Sequence, residues 1–185
     1  MADPAARKAT YEDILNLPEH LVGEILNGVL ITHPRPAPRH ALAASSLGGE
    51  LYGPFDKGRG GPGGWWILDE PELHLGAEIM VPDLAGWRRE RMPELPETAW
   101  FEFAPDWVCE ILSPNTARDD RAIKMPNYAR EGVSWLWLVD PDPKTLEAYE
   151  LRAGKWTLLA TLHDDQPVSL PPFDAIEFPL SVLRP

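Results

Sequence analysis

Residues 106–124 read DWVCEILSPNTARDDRAIK, and the reading of this stretch decides the fold. Trp107, Val108 and Cys109 form a short apolar run suited to a buried strand, and the run leads directly into a carboxylate, Glu110. Ile111 and Leu112 follow, then the turn signal Ser113-Pro114-Asn115. An unpaired carboxylate in an apolar strand is costly to bury, so it is normally paired, hydrogen-bonded or bound to a cation. Three candidates for that compensation are Asp83 in Val81-Pro82-Asp83-Leu84, Lys124 beyond the turn, and a divalent metal.

Outward from this stretch the chain alternates turn signals with short apolar runs. Thr10 followed by Asp13 resembles a capping box and predicts a helix start, which Pro18 ends. Asn27-Gly28 between residues 22–26 and 29–32 is the strongest short hairpin signal, since both turn residues tolerate positive φ. Inside the first strand of that hairpin, the alternation favours the solvent face for Glu24. Pro34, Pro36 and Pro38 delay regular structure to about Arg39, after which residues 40–52 suit a packed helix, weakened by Gly48-Gly49.

Residues 58–64 contain the letters G-x-G-x-x-G, but the helix precedes them and the strand follows, the reverse of a dinucleotide-binding motif, so they read as a flexible loop. Residues 65–87 are strand-like, interrupted by Pro71 and Gly76-Ala77, and hold Asp83 at a defined point of a strand. The proline-rich residues 88–104 read as a surface connection. Pro126 and Gly132 suit the first turn and the end of a helix with Lys124 at its mouth, and residues 135–139, 146–151, 156–162 and 168–170 add strands that extend the sheet in antiparallel fashion.

A chain of 185 residues, 44% apolar, fits one domain with a sizeable core. The single cysteine, Cys109, permits no intramolecular disulfide or zinc cluster, and its apolar neighbours predict a neutral thiol. Neither a signal-peptide core nor a membrane span is legible, so a soluble, cytoplasmic protein is expected. The net charge of −12 argues against a protein that coats nucleic acid, while leaving room for a nuclease whose metal offsets local acid. Arg35, Arg39, Lys57 and Arg59, and then Arg118, Arg121, Lys124 and Arg130, form two thin basic clusters that read mostly as solvated surface. The five histidines are scattered and read as background, and no serine sits in a nucleophile elbow. Trp107, Trp135 and Trp137 lie in strand runs and belong in the core rather than on a base-stacking surface.

Pro82-Asp83 followed by a strand carrying Glu110 is similar to the PD-(D/E)XK nuclease signature. Gly23-Glu24-Ile25-Leu26-Asn27-Gly28, Val81-Pro82-Asp83-Leu84, Cys109-Glu110-Ile111-Leu112-Ser113-Pro114, Lys124 with Tyr128-Ala129-Arg130-Glu131-Gly132-Val133, and Trp137-Leu138-Val139-Asp140-Pro141 together resemble the Uma-two family of restriction-endonuclease-like proteins. The resemblance covers nearly the whole chain. It implies an α/β (α+β) fold, a single restriction-endonuclease-like domain over residues 1–185. A mixed β-sheet would be flanked by helices, with the acids on adjacent strands, an N-terminal hairpin and C-terminal antiparallel strands.

One departure stands out: the nuclease signature expects lysine two residues after the glutamate, where this chain has Leu112. The resemblance supplies Lys124 in its place and gives Glu24 a site role, against the solvent-face reading. It implies hydrolysis of phosphodiester bonds in nucleic acid, most naturally DNA, with Mg²⁺ or Mn²⁺ held by Asp83, Glu110 and the Ile111 carbonyl. Lys124 would orient water or stabilise charge on the phosphate. A homodimer fits a nuclease that cuts two strands. The alternatives are a buried ion-pair network joining Asp83, Glu110 and Lys124, and a non-catalytic binding or assembly module of the same fold.

Overall fold

The computed structural model describes residues 7–183. Helix α1 (Tyr11–Leu15) opens with the Thr10 N–H donating to the Asp13 carboxylate at 2.7 Å. Strands β1 (Leu21–Leu26) and β2 (Val29–Pro34) form the expected hairpin, with Asn27 and Gly28 at φ 55° and 78°. Helix α2 (Pro38–Leu51) starts on Pro38, whose missing N–H costs nothing at that position, and ends in a π-helical turn over Tyr52–Asp56. The glycine-rich loop joins that turn to β3 (Trp65–Asp69), confirming that no strand precedes it.

Short strands β4 (Leu73–Leu75) and β5 (Glu78–Met80) complete a four-stranded antiparallel sheet in the order β2-β1-β5-β4. Strands β6 (Leu84–Arg88), β7 (Trp107–Ile111), β8 (Trp135–Asp140), β9 (Thr145–Arg152) and β10 (Lys155–His163) join β3 in a six-stranded mixed sheet, order β10-β9-β8-β7-β6-β3. Only β7 and β8 run parallel, so a crossover must carry the chain from one end of the sheet to the other. That crossover is a helical segment made of α3 (Ala117–Asp119), a π-helical turn (Asp120–Lys124) and α4 (Met125–Arg130). β11 (Pro167–Val168) and β12 (Phe178–Pro179) form a separate small ladder, so the strand expected at 168–170 is shorter and outside the main sheet.

The period-2 pattern of β7 divides the core. Trp107, Cys109 and Ile111 join α2, Trp137 and Phe173 on one face, whereas Val108 joins Leu26, Met80, Trp87 and Tyr128 on the other. Glu110 alternates with Cys109 and Ile111, so it points toward the face covered by α4 and the four-stranded sheet. The Phe173 ring packs edge-on against Trp65, Trp107 and Trp137, which makes Trp107 and Trp137 core residues; Trp135 is half-buried. Gly86 permits this packing, because a Cβ there would lie 3.2–3.3 Å from Ile67, Trp65 and Trp107.

Three local expectations need correction. Asp83 lies immediately before β6 rather than inside a strand, and its place is set by the pairing of Leu84 with Cys109. Residues 88–104 are more than a surface connection: Met92 is buried, and Phe101 stacks on Trp87 and bridges to Leu73. The polar residues after Pro114 are helical, so Lys124 sits within a helical segment instead of at its mouth. Pro126 does occupy the first turn of α4. The π-helical turn just ahead of it accommodates a residue that has no N–H and whose ring crowds the preceding turn. Among the described residues no helix is long and apolar enough to cross a membrane.

Candidate active site

Four carboxylates and one lysine meet where the crossover packs against β1, β6 and β7. Glu24 is 1% exposed, Glu110 2%, Asp120 2% and Lys124 5%. Burial of this order for charged groups requires partners, and Lys124 supplies most of them. Its Nζ lies 3.1 Å from Glu24, 3.3 Å from Glu110 and 3.3 Å from Asp120. Asp120 and Lys124 share one helical face at i, i+4, which explains how the crossover delivers both. Burial pulls the ammonium down, but Glu110, Glu24, Asp120 and Asp83 together lift it well above the ordinary lysine range, so it stays charged.

Each acid is held by something else as well. Glu24 Oε1 accepts the Val81 N–H at 2.8 Å, and His33 Nε2 lies 3.5 Å from its other oxygen. Burial pushes Glu24 up, yet Lys124, His33 and the Val81 N–H outweigh it and hold the carboxyl below its usual value. The Tyr128 hydroxyl donates to Glu110 Oε1 at 2.6 Å. Asp83 Oδ2 accepts the Ile111 N–H at 2.6 Å, tying the loop before β6 to the end of β7. Its Oδ1 faces His40 Nε2 at 3.3 Å.

Asp83, Glu110, Lys124 and Glu24 thus converge, together with the Ile111 backbone, along a cleft of about 310 Å³ whose mouth includes Arg35, Ser113, Asn115 and Thr116. The solvent-face reading of Glu24 is overturned. β1 is an interior strand of the four-stranded sheet, and its last four residues are all buried, so alternation carries no information there. Asp120, His40 and His33 were missed. The i, i+4 spacing of Asp120 and Lys124 was the available signal for the first, whereas the histidines reach the cleft only through tertiary folding. Most of the other basic residues are already paired at the surface, including Arg118 with Asp119 and Arg121 with Glu147.

Among the described residues no three His, Cys, Asp or Glu side chains are arranged to hold a metal ion between them. The donor chemistry nevertheless suits a hard divalent cation. Four carboxylates face one permanently charged amine, and the two ends of Asp83 are engaged only by an amide N–H and an imidazole. Such an excess of carboxylate oxygens is what a hard cation would take as ligands.

Burial pushes the Glu110 carboxyl well above its usual range; Lys124 opposes this, and Asp120, Asp83 and Glu24 reinforce it. A folded-state pKa raised above the unfolded value contributes stability that is complete below the unfolded carboxyl range of about 4 and is lost as pH rises through the folded value. Metal-free Glu110→Gln is therefore expected to melt above the parent at pH 8, with the gap closing as pH falls toward about 4. A pH-independent gap in melting scans would refute this account of Glu110.

The fold has a counterpart among solved structures. A crystal structure of a "putative nuclease" from Anabaena variabilis ATCC 29413 superposes with a TM-score of 0.75 at 24% identity, covering 95% of this chain and 97% of the other. At that identity the likeness establishes the fold alone: a mixed sheet with helices, an N-terminal antiparallel sheet and a C-terminal hairpin. No curated protein matches the chain. The Uma2 family, described as "Putative restriction endonuclease", matches residues 10–182. That match spans both sheets and every residue of the cleft, and the chain belongs to the Uma2 family.

Proposed function

We propose that this protein is a Mg²⁺- or Mn²⁺-dependent endonuclease that hydrolyses phosphodiester bonds of DNA. The observation that carries this reading is that Asp83, Glu110 and Lys124 line one cleft, the two acids in the order of the nuclease signature and the lysine displaced from it. Asp83, Glu110 and the Ile111 carbonyl would hold the cation. When bound, it supplies polarisation of a phosphate oxygen and acidification of a water.

The remaining work falls to this chain's own side chains. Lys124 brings a fixed charge to the cleft, its Nζ held among Glu24, Glu110 and Asp120, and would stabilise charge that builds on the phosphate. An ammonium has no lone pair, so it cannot be a metal ligand. Glu24 and Asp120 aim Lys124, which makes Glu24 a positioning residue in this reading. Tyr128 fixes one oxygen of Glu110. The Ile111 N–H fixes one oxygen of Asp83 and leaves the other toward the cleft. A homodimer would supply a second cleft for the opposite strand.

A second reading draws support from the closed shell of acids around Lys124: a non-catalytic module in which that network joins crossover to sheet. The two readings part in a cleavage assay. The nuclease is expected to nick or cut DNA with Mg²⁺ or Mn²⁺, stop on adding EDTA, and lose activity in Glu110→Gln. Intact single-stranded, duplex and RNA substrates after incubation with either metal would favour the module.

A further inference from the structure

The glycine-rich loop of residues 58–64 takes no part in the mechanism above, yet it borders a separate cavity of about 310 Å³ at the far end of the six-stranded sheet. β6 carries the chain from Asp83 beside the cleft to Arg88 on this cavity, about 17 Å of extended backbone at ~3.4 Å per residue. Gly63 and Gly64, at φ 66° and 85°, line it with Phe55, Trp65, Pro172 and Arg88. The loop is pinned there, because the Gly63 N–H donates to the Pro54 carbonyl and the Arg89 N–H to the Gly64 carbonyl, both at 2.9 Å. A Cβ added at Gly64 would meet no protein atom within 4 Å, so bare backbone there faces open space.

Among the described residues every arginine side chain rests on a protein oxygen except two, Arg59 in this loop and Arg88 on the cavity. Arg88 is half-buried, its guanidinium carbon 4.9 Å from the centre of the Trp65 ring and 5.4 Å from that of Trp135. Ring faces attract the charge and hold the group still, but they leave its fork of in-plane N–H donors unspent. The chain has 29 acidic residues against 17 lysines and arginines, so an ordered guanidinium without an acid stands out. Nearby, Asp56 is shared by Lys57 at 2.7 Å and Arg89 at 3.2 Å, which leaves positive charge in surplus despite Glu90 on the cavity wall.

We infer that this cavity binds a small organic phosphate, a dianionic monoester whose phosphate pairs with Arg88 beside the bare backbone of Gly63 and Gly64. The inference goes beyond the nuclease reading and does not depend on it. A planar guanidinium can meet two phosphate oxygens at once, which makes arginine a frequent partner of phosphate. The cavity falls in the range of small-molecule sites, roughly 300–1,000 Å³, so it has room for the organic part of an ester as well as its phosphate. Phe55, Trp65 and Pro172 give that part an apolar wall. The loop leads into β3 and offers no helix N-terminus, so the charge of Arg88 does what a helix dipole does in a dinucleotide fold. Between cleft and cavity one face of the sheet is covered by α2 and the other by α4 and the four-stranded sheet, so no open sheet face leads a nucleic acid strand from one to the other.

The test follows the Arg88 side-chain Nε–H resonance of metal-free, full-length, ¹⁵N-labelled protein, assigned by its absence from Arg88→Met. The titrants are inorganic phosphate, adenosine monophosphate, adenosine and a single-stranded oligonucleotide. Phosphate and adenosine monophosphate are expected to shift the resonance to saturation, the nucleotide at lower concentration, whereas adenosine and sodium chloride of matched ionic strength leave it in place. Calorimetric affinity for adenosine monophosphate is expected to fall about 10–100-fold in Arg88→Met, the loss of a charge-assisted hydrogen-bonded pair, and by a smaller factor in Arg88→Lys, which keeps the charge without the fork. Should Arg88→Met fold poorly, Arg88→Lys carries the comparison. An Arg88 resonance unmoved by phosphate and nucleotide, or nucleotide affinity unchanged in both variants, would overturn the site. A shift with the oligonucleotide alone would overturn it too, in favour of a nucleic acid contact. Each of these failures leaves the nuclease reading standing.

Discussion

Metal-free Lys124→Ala is expected to melt far below the parent at neutral pH, with a stability loss of about 3–5 kcal/mol, which corresponds to a fall on the order of 10 °C for a chain of this size. The reason is the position of Nζ, within 3.3 Å of Glu24, Glu110 and Asp120 and shielded from water. Removing it leaves three buried carboxylates without their common cation. They can then lower their energy only by taking up protons or binding another cation. The deficit should therefore shrink on acidification, as the acids neutralise, and on addition of Mn²⁺, which would stabilise the folded state by binding it. At alkaline pH the parent keeps its advantage until the raised Lys124 itself loses its proton, because a raised amine contributes fully below its unfolded pKa of about 10.4. Lys124→Met preserves the stem's volume and should show most of the same loss, which would assign it to charge. Melting within about 1 °C of the parent would refute the ion-pair role. Cleavage is a separate reading of the same variants: Mn²⁺ binding should survive, and cutting should not. Parental cutting would remove Lys124 from the mechanism.

The local parts of this arrangement were legible because local physics determines them. Asn27-Gly28 needs no tertiary information to make a hairpin, and a carboxylate after Trp107-Val108-Cys109 is anomalous in any fold. Lys124 was legible as a counter-ion for Glu110, but its place in the nuclease signature came only through family resemblance. Nothing between Pro114 and Met125 has the apolar periodicity of a helix, since Asp120 and Lys124 share its inward face with only Ala117 and Ile123. The burial of Glu24 was hidden for a related reason: a hairpin strand normally has a wet face, and this one is met by the crossover, whose Lys124 Nζ lies 3.1 Å from Glu24. His40 was beyond reach altogether. The helix start was legible to within two residues, but the ring meets Asp83 only because α2 lies across the end of β7.

The sharpest test of the cleft as a cation site is Asp83→Asn. Asparagine preserves the shape of the side chain, and its carbonyl oxygen can still accept the Ile111 N–H that aspartate accepts at 2.6 Å. The strand ends should therefore stay joined, and the metal-free variant should melt close to the parent. What changes is the second oxygen. In the parent it faces His40 with negative charge, whereas in the variant an amide nitrogen, a donor without a free lone pair, stands in its place. Mn²⁺ affinity by calorimetry is expected to fall by more than about 100-fold, the upper end of what loss of a mere supporting hydrogen bond costs. DNA cleavage should disappear with it, and the thermal shift that Mn²⁺ gives the parent should vanish. If the variant binds Mn²⁺ as the parent does, Asp83 serves as a structural clasp between β6 and β7, and the cation, if there is one, is held by Glu110 with Glu24 or Asp120. If affinity falls while cutting persists, the metal is incidental to the chemistry. Only the joint loss of binding and cleavage, with stability preserved, fits a carboxylate whose one oxygen is spent on the fold and whose other serves the cation.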